Sequence, residues 1–376
     1  MLAQPGLYIH FPWCVKKCPY CDFNSHPLFS GSGKGQDFDA YLAHLLADFD
    51  SQTTASAVSG AVFSSVFFGG GTPSLFAPEH FAALLEHLPL APDAEITMEA
   101  NPGTTEHADF GDYLAAGINR LSIGAQSFDD AQLGRLGRIH NSREIIDTYH
   151  QAVDGGFDNI NLDLMWALPQ QSVDQCLADL EAAIQLAPQH LSWYQLTIEA
   201  KTEFARRPPL LPVEDAVYQM EIEGNQLLAE QGYARYEVSA FARDGRTCRH
   251  NLNYWQFGDY LGVGAGAHGK VSTPEQIYRT RKPHQPRVYQ QQPTDISRIA
   301  VNDQDLLFEF MLNALRLVDG VPVTELQAKT RLDFAQAQDR WSRLVDQELV
   351  YQDRIACTPL GFRYLDSVVA EFVPRT

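Results

Sequence analysis

No apolar run in this sequence approaches the roughly 20 residues needed to cross a bilayer, so no membrane-spanning helix is expected. Positive charge is in short supply. Lys and Arg number 28 against 47 Asp and Glu, and a formal net charge of −19 argues against a broad surface for nucleic acid or anionic lipid. The opening MLAQPGLYIHFPWC lacks the basic start, apolar stretch and small-residue cleavage site of a signal peptide. A cytoplasmic setting is therefore expected, where thiols stay reduced. Internal repeats and long low-complexity tracts are missing as well. Cysteine is scarce: of six, Cys176, Cys248 and Cys357 are scattered and read as ordinary buried side chains. What remains is a globular composition, 45% hydrophobic and 11% aromatic over 376 residues, enough for two or three units.

From residue 6, short β-rich runs alternate with helical stretches. Strands are expected at 7–11, 62–68, 95–100, 120–126, 159–168 and 191–198, with helices such as 38–49, 78–88 and 142–156 between them. The last carries Ser142 as its expected N-cap and glycines at its end. Strands this apolar suit no solvated face and imply a parallel sheet covered by helices. Six such units make an open doubly wound sheet or a partial α/β barrel. In both, chemistry sits at the C-terminal ends of the strands.

This body is expected to span residues 1–242, with residues 243–300 joining it to a unit at 301–376. Within the joining stretch, residues 270–298 hold four prolines and six Lys or Arg against two acids, which reads as an irregular basic connector. The last unit reads as three helices and a hairpin-like end (349–366), a small helical, winged-helix-like domain. Its 8 Lys and Arg against 12 Asp and Glu remove the electrostatic drive for DNA binding, so it reads as a packing domain.

The other three cysteines are clustered. WCVKKCPYCDFNSH, residues 13–26, spaces Cys14, Cys18 and Cys21 as Cys-x3-Cys-x2-Cys directly after the first strand. In a reducing compartment this favours metal over disulfide. A structural zinc site would need a fourth ligand, for which His10 or His26 is available. Simple burial is the blander reading. A [4Fe–4S] cluster held at three corners would leave one iron open to a small bidentate ligand.

With the aromatic Tyr20 before its third cysteine, the motif resembles the signature of the radical S-adenosylmethionine (SAM) proteins. The resemblance implies an α/β fold, a partial (β/α)6 radical SAM barrel, in which Cys14, Cys18 and Cys21 hold the cluster and SAM chelates the open iron. It implies that Gly70, Gly71 and Thr72 of GGGTP (69–73) contact the methionine part of SAM, and that Glu99 of MEANP holds the ribose hydroxyls. Gln126 of GAQS, Arg138, and Asp163 of LDLMWALP would line the same site, and Tyr8 would pack near the adenine. Such cofactors carry the difficult chemistry, while the protein orients them and excludes water.

The likeness runs over the whole chain and is strongest to the group around oxygen-independent coproporphyrinogen III dehydrogenase. The dehydrogenases carry a further cysteine two positions after the third, where this sequence has Phe23, and a longer N-terminal arm. The HemW-like heme chaperones of the group lack both and carry His-Asn-x-x-Tyr-Trp, matched by His250 to Trp255. The resemblance thus implies a protein that binds heme and passes it to apo-heme acceptor proteins. His250 is the candidate axial ligand, Cys248 its competitor, and Arg246 and Arg249 are candidates for the propionates. Against this stands a histidine that merely hydrogen-bonds within the core. A flavodoxin-like electron donor and a membrane-associated acceptor fit the family; nucleic acid does not. Two alternatives remain: a radical oxidative decarboxylase of porphyrinogen, and a zinc-stabilised α/β protein. The glycine-rich LGVGAGAHG (261–269) is set aside as a dinucleotide loop, because no strand is expected before it and no good helix after it.

Overall fold

A computed structural model describes residues 4–28, 36–54, 58–103 and 108–374. Six strands run in chain order: β1 (Gly6–Phe11), β2 (Phe63–Gly70), β3 (Leu90–Ala100), β4 (Arg120–Gln126), β5 (Ile160–Trp166) and β6 (His190–Gln195). Each pairs in parallel with the next, giving the expected partial barrel. Helices such as Phe38–Thr54, Pro78–His87, Ser142–Asp154 and Val173–Gln185 join consecutive strands. The third of these is capped by Asn141 rather than Ser142. The Asn141 side chain accepts from Glu144 N while Glu144 reaches back to Asn141 N.

A side-chain period of two sorts every strand onto two faces. Leu7, Ile9, Val66, Phe68, Ile96, Met98, Leu121, Ile123, Leu162, Leu164, Leu191 and Trp193 join one buried apolar cluster with helix residues such as Tyr41, Phe81, Ile145 and Leu180. The alternate positions face inward and are mostly polar: Tyr8, Thr97, Glu99, Arg120, Ser122, Asn161, Asp163, His190 and Ser192. The apolar character expected of the strands therefore belongs to their outer face.

The sheet continues past both edges. Ala240–Ala242 and Ala234–Glu237 extend it antiparallel beyond β6, while Tyr260–Val263 lies parallel beside β1. His268–Ser272, Ile277–Arg281 and Ser297–Ala300 then add antiparallel strands. The stretch expected as an irregular connector is thus largely sheet, with its prolines between strands. Much of its positive charge is neutralised in place: Lys270 meets Asp259 at 2.6 Å, Lys282 meets Asp48 at 2.7 Å, and Arg279 meets Glu309 at 2.7 Å. A strand does lead into the glycine-rich segment at 261–269, contrary to expectation. The element after that segment is another strand, so no helix N-terminus is offered to a phosphate there.

The C-terminal helices Asp303–Ala314, Val323–Thr330 and Gln338–Asp346 close around Phe310, Leu326 and Trp341, together with Phe257 and Ile277 from the preceding region. The expected hairpin is short: Val350 bridges Cys357 antiparallel, with Tyr351 N donating to Ala356 O and Thr358 N to Leu349 O at 3.0 Å each, while Arg354–Ile355 at its turn pairs with Val321–Pro322. The residues after it turn helical because Thr358 caps Pro359–Arg363, its hydroxyl accepting from Gly361 N.

Candidate functional site

At the C-terminal ends of the strands lies a cavity of about 550 Å³. The loop after β1 brings Cys14, Cys18 and Cys21 to its wall, all three partly accessible and none in a disulfide. The ends of β2, β3, β4 and β5 bring Gly70, Gly71, Thr72, Glu99, Gln126 and Asp163, and the turn after Asp130–Arg135 brings Arg138. Of the eleven residues assigned from the sequence to the cluster and SAM, ten line this one space.

The polar groups are cross-linked. Arg138 donates through Nη1 to Cys18 Sγ at 3.7 Å and through Nη2 to Asn101 Oδ1 at 2.5 Å and Gly124 O at 2.9 Å. Asn101 in turn donates to Thr72 Oγ1 at 2.9 Å. Gly70 N donates to Glu99 Oε2 at 2.9 Å, and Tyr194 donates to Gln126 Oε1 at 2.7 Å. Ser122 and Asn161 each donate to Asp163, at 2.9 and 2.8 Å. Burial, outweighing the Gly70 bond and reinforced by Asp163, pushes the Glu99 carboxyl up to about 8. Burial raises Asp163 as well, against the hydrogen bonds from Asn161 and Ser122.

The glycines have reasons internal to the chain. Gly70 has φ +108°, and a Cβ on it would run into the His10 ring. A Cβ on Gly71 would meet Phe11 O at 2.6 Å.

Two residues are not brought to the cavity. Tyr8 points into the barrel one layer below, bonding His10 Nδ1 at 2.9 Å and stacking on Phe67 at 6.3 Å. His250 lies at the opposite, N-terminal end of the barrel. Its helix, Arg249–Trp255, is held by Glu95, which accepts from Arg249 N and His250 N at 3.0 Å each. His250 is 1% exposed, its ring nitrogens lie 2.9 Å from Ser65 Oγ and 2.7 Å from Tyr254 OH, and its face is stacked on Phe67. A histidine saturated in this way offers no nitrogen to a heme iron. Cys248 is equally enclosed, directed at Glu95 Oε1, and Arg246 and Arg249 pair with Asp158 and Asp93.

The donor set bears on the choice between a single metal ion and a cluster with SAM. Burial raises the Cys14 and Cys21 thiols, so without metal both rest protonated; bound iron would reverse this. Among the described residues no three of His, Cys, Asp and Glu group about a point that one metal ion would occupy. His10 and His26, the available fourth zinc ligands, do not line the cavity, and each bonds Asn24 instead. Thiols spread along one wall suit a cluster with several irons better than a single ion. Carboxylates and amides on the facing strand ends suit a polar organic ligand. Sequence reasoning missed Asn101 and Tyr194, which position Arg138 and Gln126; Asn101 falls within MEANP and Tyr194 within the strand expected at 191–198, where a polar residue is itself the signal.

Comparison with known proteins agrees with this geometry. The Radical SAM superfamily model matches residues 8–183, and the HemN C-terminal domain model matches residues 301–364. A protein of Escherichia coli named heme chaperone HemW is 50% identical over 88% of this chain and 87% of its own length. One of the same name from Haemophilus influenzae is 44% identical over 99% and 98%. Coproporphyrinogen III oxidase (HemN) from Escherichia coli superposes with a TM-score of 0.79 at 22% identity, over 98% of this chain and 90% of that one, a likeness of fold. The chain belongs to the radical SAM superfamily and, within it, to the family of the heme chaperone HemW proteins.

Proposed function

We propose that this chain is a heme chaperone that holds a [4Fe–4S] cluster on Cys14, Cys18 and Cys21 with SAM beside it, binds heme, and passes it to apo-acceptor proteins. The observation that carries the reading is the single cavity lined by three thiols and by Glu99, Gln126, Arg138 and Asp163, in a chain whose relatives bear that name. When bound there, cluster and SAM supply one-electron chemistry. The chain's residues bind and orient. Arg138 directs an N–H at Cys18, which favours the anionic sulfur of a ligand. Thr72, fixed through Asn101, Glu99, fixed by Gly70 N, and Gln126, fixed by Tyr194, offer polar groups at set positions along the strand ends. A cytoplasmic setting and a flavodoxin-like electron donor belong to the same proposal.

The test is anaerobic reconstitution followed by heme titration with and without the cluster. Iron and sulfide in equal amounts, lost in each of Cys14→Ser, Cys18→Ser and Cys21→Ser, together with heme binding and transfer to an apo-protein, are expected. Zinc in place of iron would overturn the cluster. Conversion of coproporphyrinogen III to protoporphyrinogen IX would replace the chaperone by an enzyme.

A further inference from the structure

With His250 sealed at the far end of the barrel, heme needs an iron ligand elsewhere. Two loops meet beside the cavity: residues 22–26, following the third cysteine, and residues 282–285, following the strand Ile277–Arg281. Asn24 ties them, donating to Ala265 O and His284 O at 2.8 Å each. The His26 and His284 rings then meet edge to face, 6.2 Å between centroids. His284 is exposed, and among the described residues its ring makes no hydrogen bond.

The surroundings are distinctive for a chain of net charge −19. Partial burial, reinforced by the charges of Arg281, Lys17 and Lys201, lowers the proton affinity of His284 and keeps the imidazole neutral. Arg281 and Lys201 are exposed and have no acidic partner among the described residues, whereas Lys270, Lys282 and Arg279 of the same basic stretch are already paired. Lys17 donates to Phe23 O and Ser25 O at 2.8 and 3.2 Å, which fixes the loop that carries Phe23. Phe23 is 60% exposed and lines the cavity mouth. A neutral imidazole, unpaired cations and a large exposed aromatic ring match the three parts of heme: iron, carboxylates and a flat apolar macrocycle.

We propose that the rim of the cavity is the heme-docking site, with His284 as axial ligand, Arg281 and Lys201 as partners of the propionates, and Phe23 packed on the macrocycle. This rests on the heme-chaperone reading above and places the heme next to the thiol loop rather than at the HNxxYW motif. An acidic protein would also be drawn to the cations, but it would be indifferent to iron and to the imidazole.

The experiment titrates heme, and separately iron-free protoporphyrin IX, into the reconstituted full-length chain and its variants, following the Soret band and affinity. His284→Ala is expected to shift the heme band and weaken heme binding by about tenfold or more, the loss of one axial bond. Arg281→Ala combined with Lys201→Ala should weaken it by about tenfold with the band unmoved. His268→Ala, a nearby exposed histidine, should change neither. Protoporphyrin should bind more weakly and not register His284→Ala. Wild-type heme binding with an unchanged band and affinity in His284→Ala would overturn the site, as would equal affinity for protoporphyrin. A wild-type chain that binds no heme would instead overturn the underlying reading. Iron content and thermal midpoint of each variant report whether the fold is retained.

Discussion

Ser65 Oγ and His250 Nδ1 lie 2.9 Å apart, joining the start of β2 to the helix that closes the N-terminal end of the barrel. Tyr254 occupies the other ring nitrogen at 2.7 Å, and neither partner faces solvent freely. The HNxxYW motif therefore acts as a plug. His250→Ala should leave two hydroxyls unpaired and a small void, costing about 2–4 kcal/mol of stability. Urea unfolding would register that loss while heme affinity of the folded variant stays at the wild-type value. A stable variant with lost heme affinity would return His250 to the heme.

Gly70 and Gly134 should respond oppositely to alanine. Gly70 has positive φ and stands against the His10 ring, which is itself fixed by Tyr8 and Asn24. Gly70→Ala is expected to cost more than about 1–3 kcal/mol and to lower iron retention by disturbing the cysteine loop. Gly134, in the helix Asp130–Arg135, has nothing within 4 Å of its missing Cβ. Gly134→Ala should stabilise by about 0.5–1 kcal/mol. Thermal midpoints and iron content decide both.

Glu99 is expected to link SAM affinity to pH. Its carboxyl stands at about 8, so at neutral pH the protonated form dominates. If SAM hydroxyls donate to the carboxylate, binding requires loss of that proton. Affinity should then rise with pH and level off above about 8, and Glu99→Gln should flatten the dependence. Calorimetric titration of SAM on both sides of that value checks it; a flat wild-type profile would remove Glu99 from the hydroxyls.

The six strands and the ten cavity residues were legible because both rest on local pattern: alternating units, and polar groups where a strand stops. Three things were not. The inward polar half of each strand, such as Thr97, Ser122 and Asn161, was masked by the apolar half when runs were read for average character. The stretch from 270 to 300 looked irregular because its prolines and charges were read without their partners, Asp48, Asp259 and Glu309, which lie far away in sequence. His250 looked like a ligand because a six-residue motif carries no information on which end of a barrel it will occupy. That depends on Ser65 and Glu95, contacts that only the fold creates.

His140 gives a pH dependence of stability whose sign is fixed by burial. Its ring is enclosed beside Arg138, with Nε2 3.3 Å from Ala125 O, and burial together with the Arg138 charge lowers it from 6.5 to about 4. In the folded chain it is neutral over a range where the unfolded chain binds a proton. The stability tied to the neutral ring is complete above about 6.5 and declines as pH falls from there toward about 4. Other buried groups titrate in the same range, Glu99 and Asp179 in the opposite sense, so the whole-chain profile mixes signs. The difference between wild type and His140→Phe isolates this residue, since phenylalanine has no proton to gain. Relative to wild type, the variant should improve steadily on acidification, by up to about 3 kcal/mol at the acid end. Urea unfolding of both proteins at several pH values measures this difference. A gap independent of pH would mean that His140 is not held neutral, and that its ring reaches water despite its enclosure.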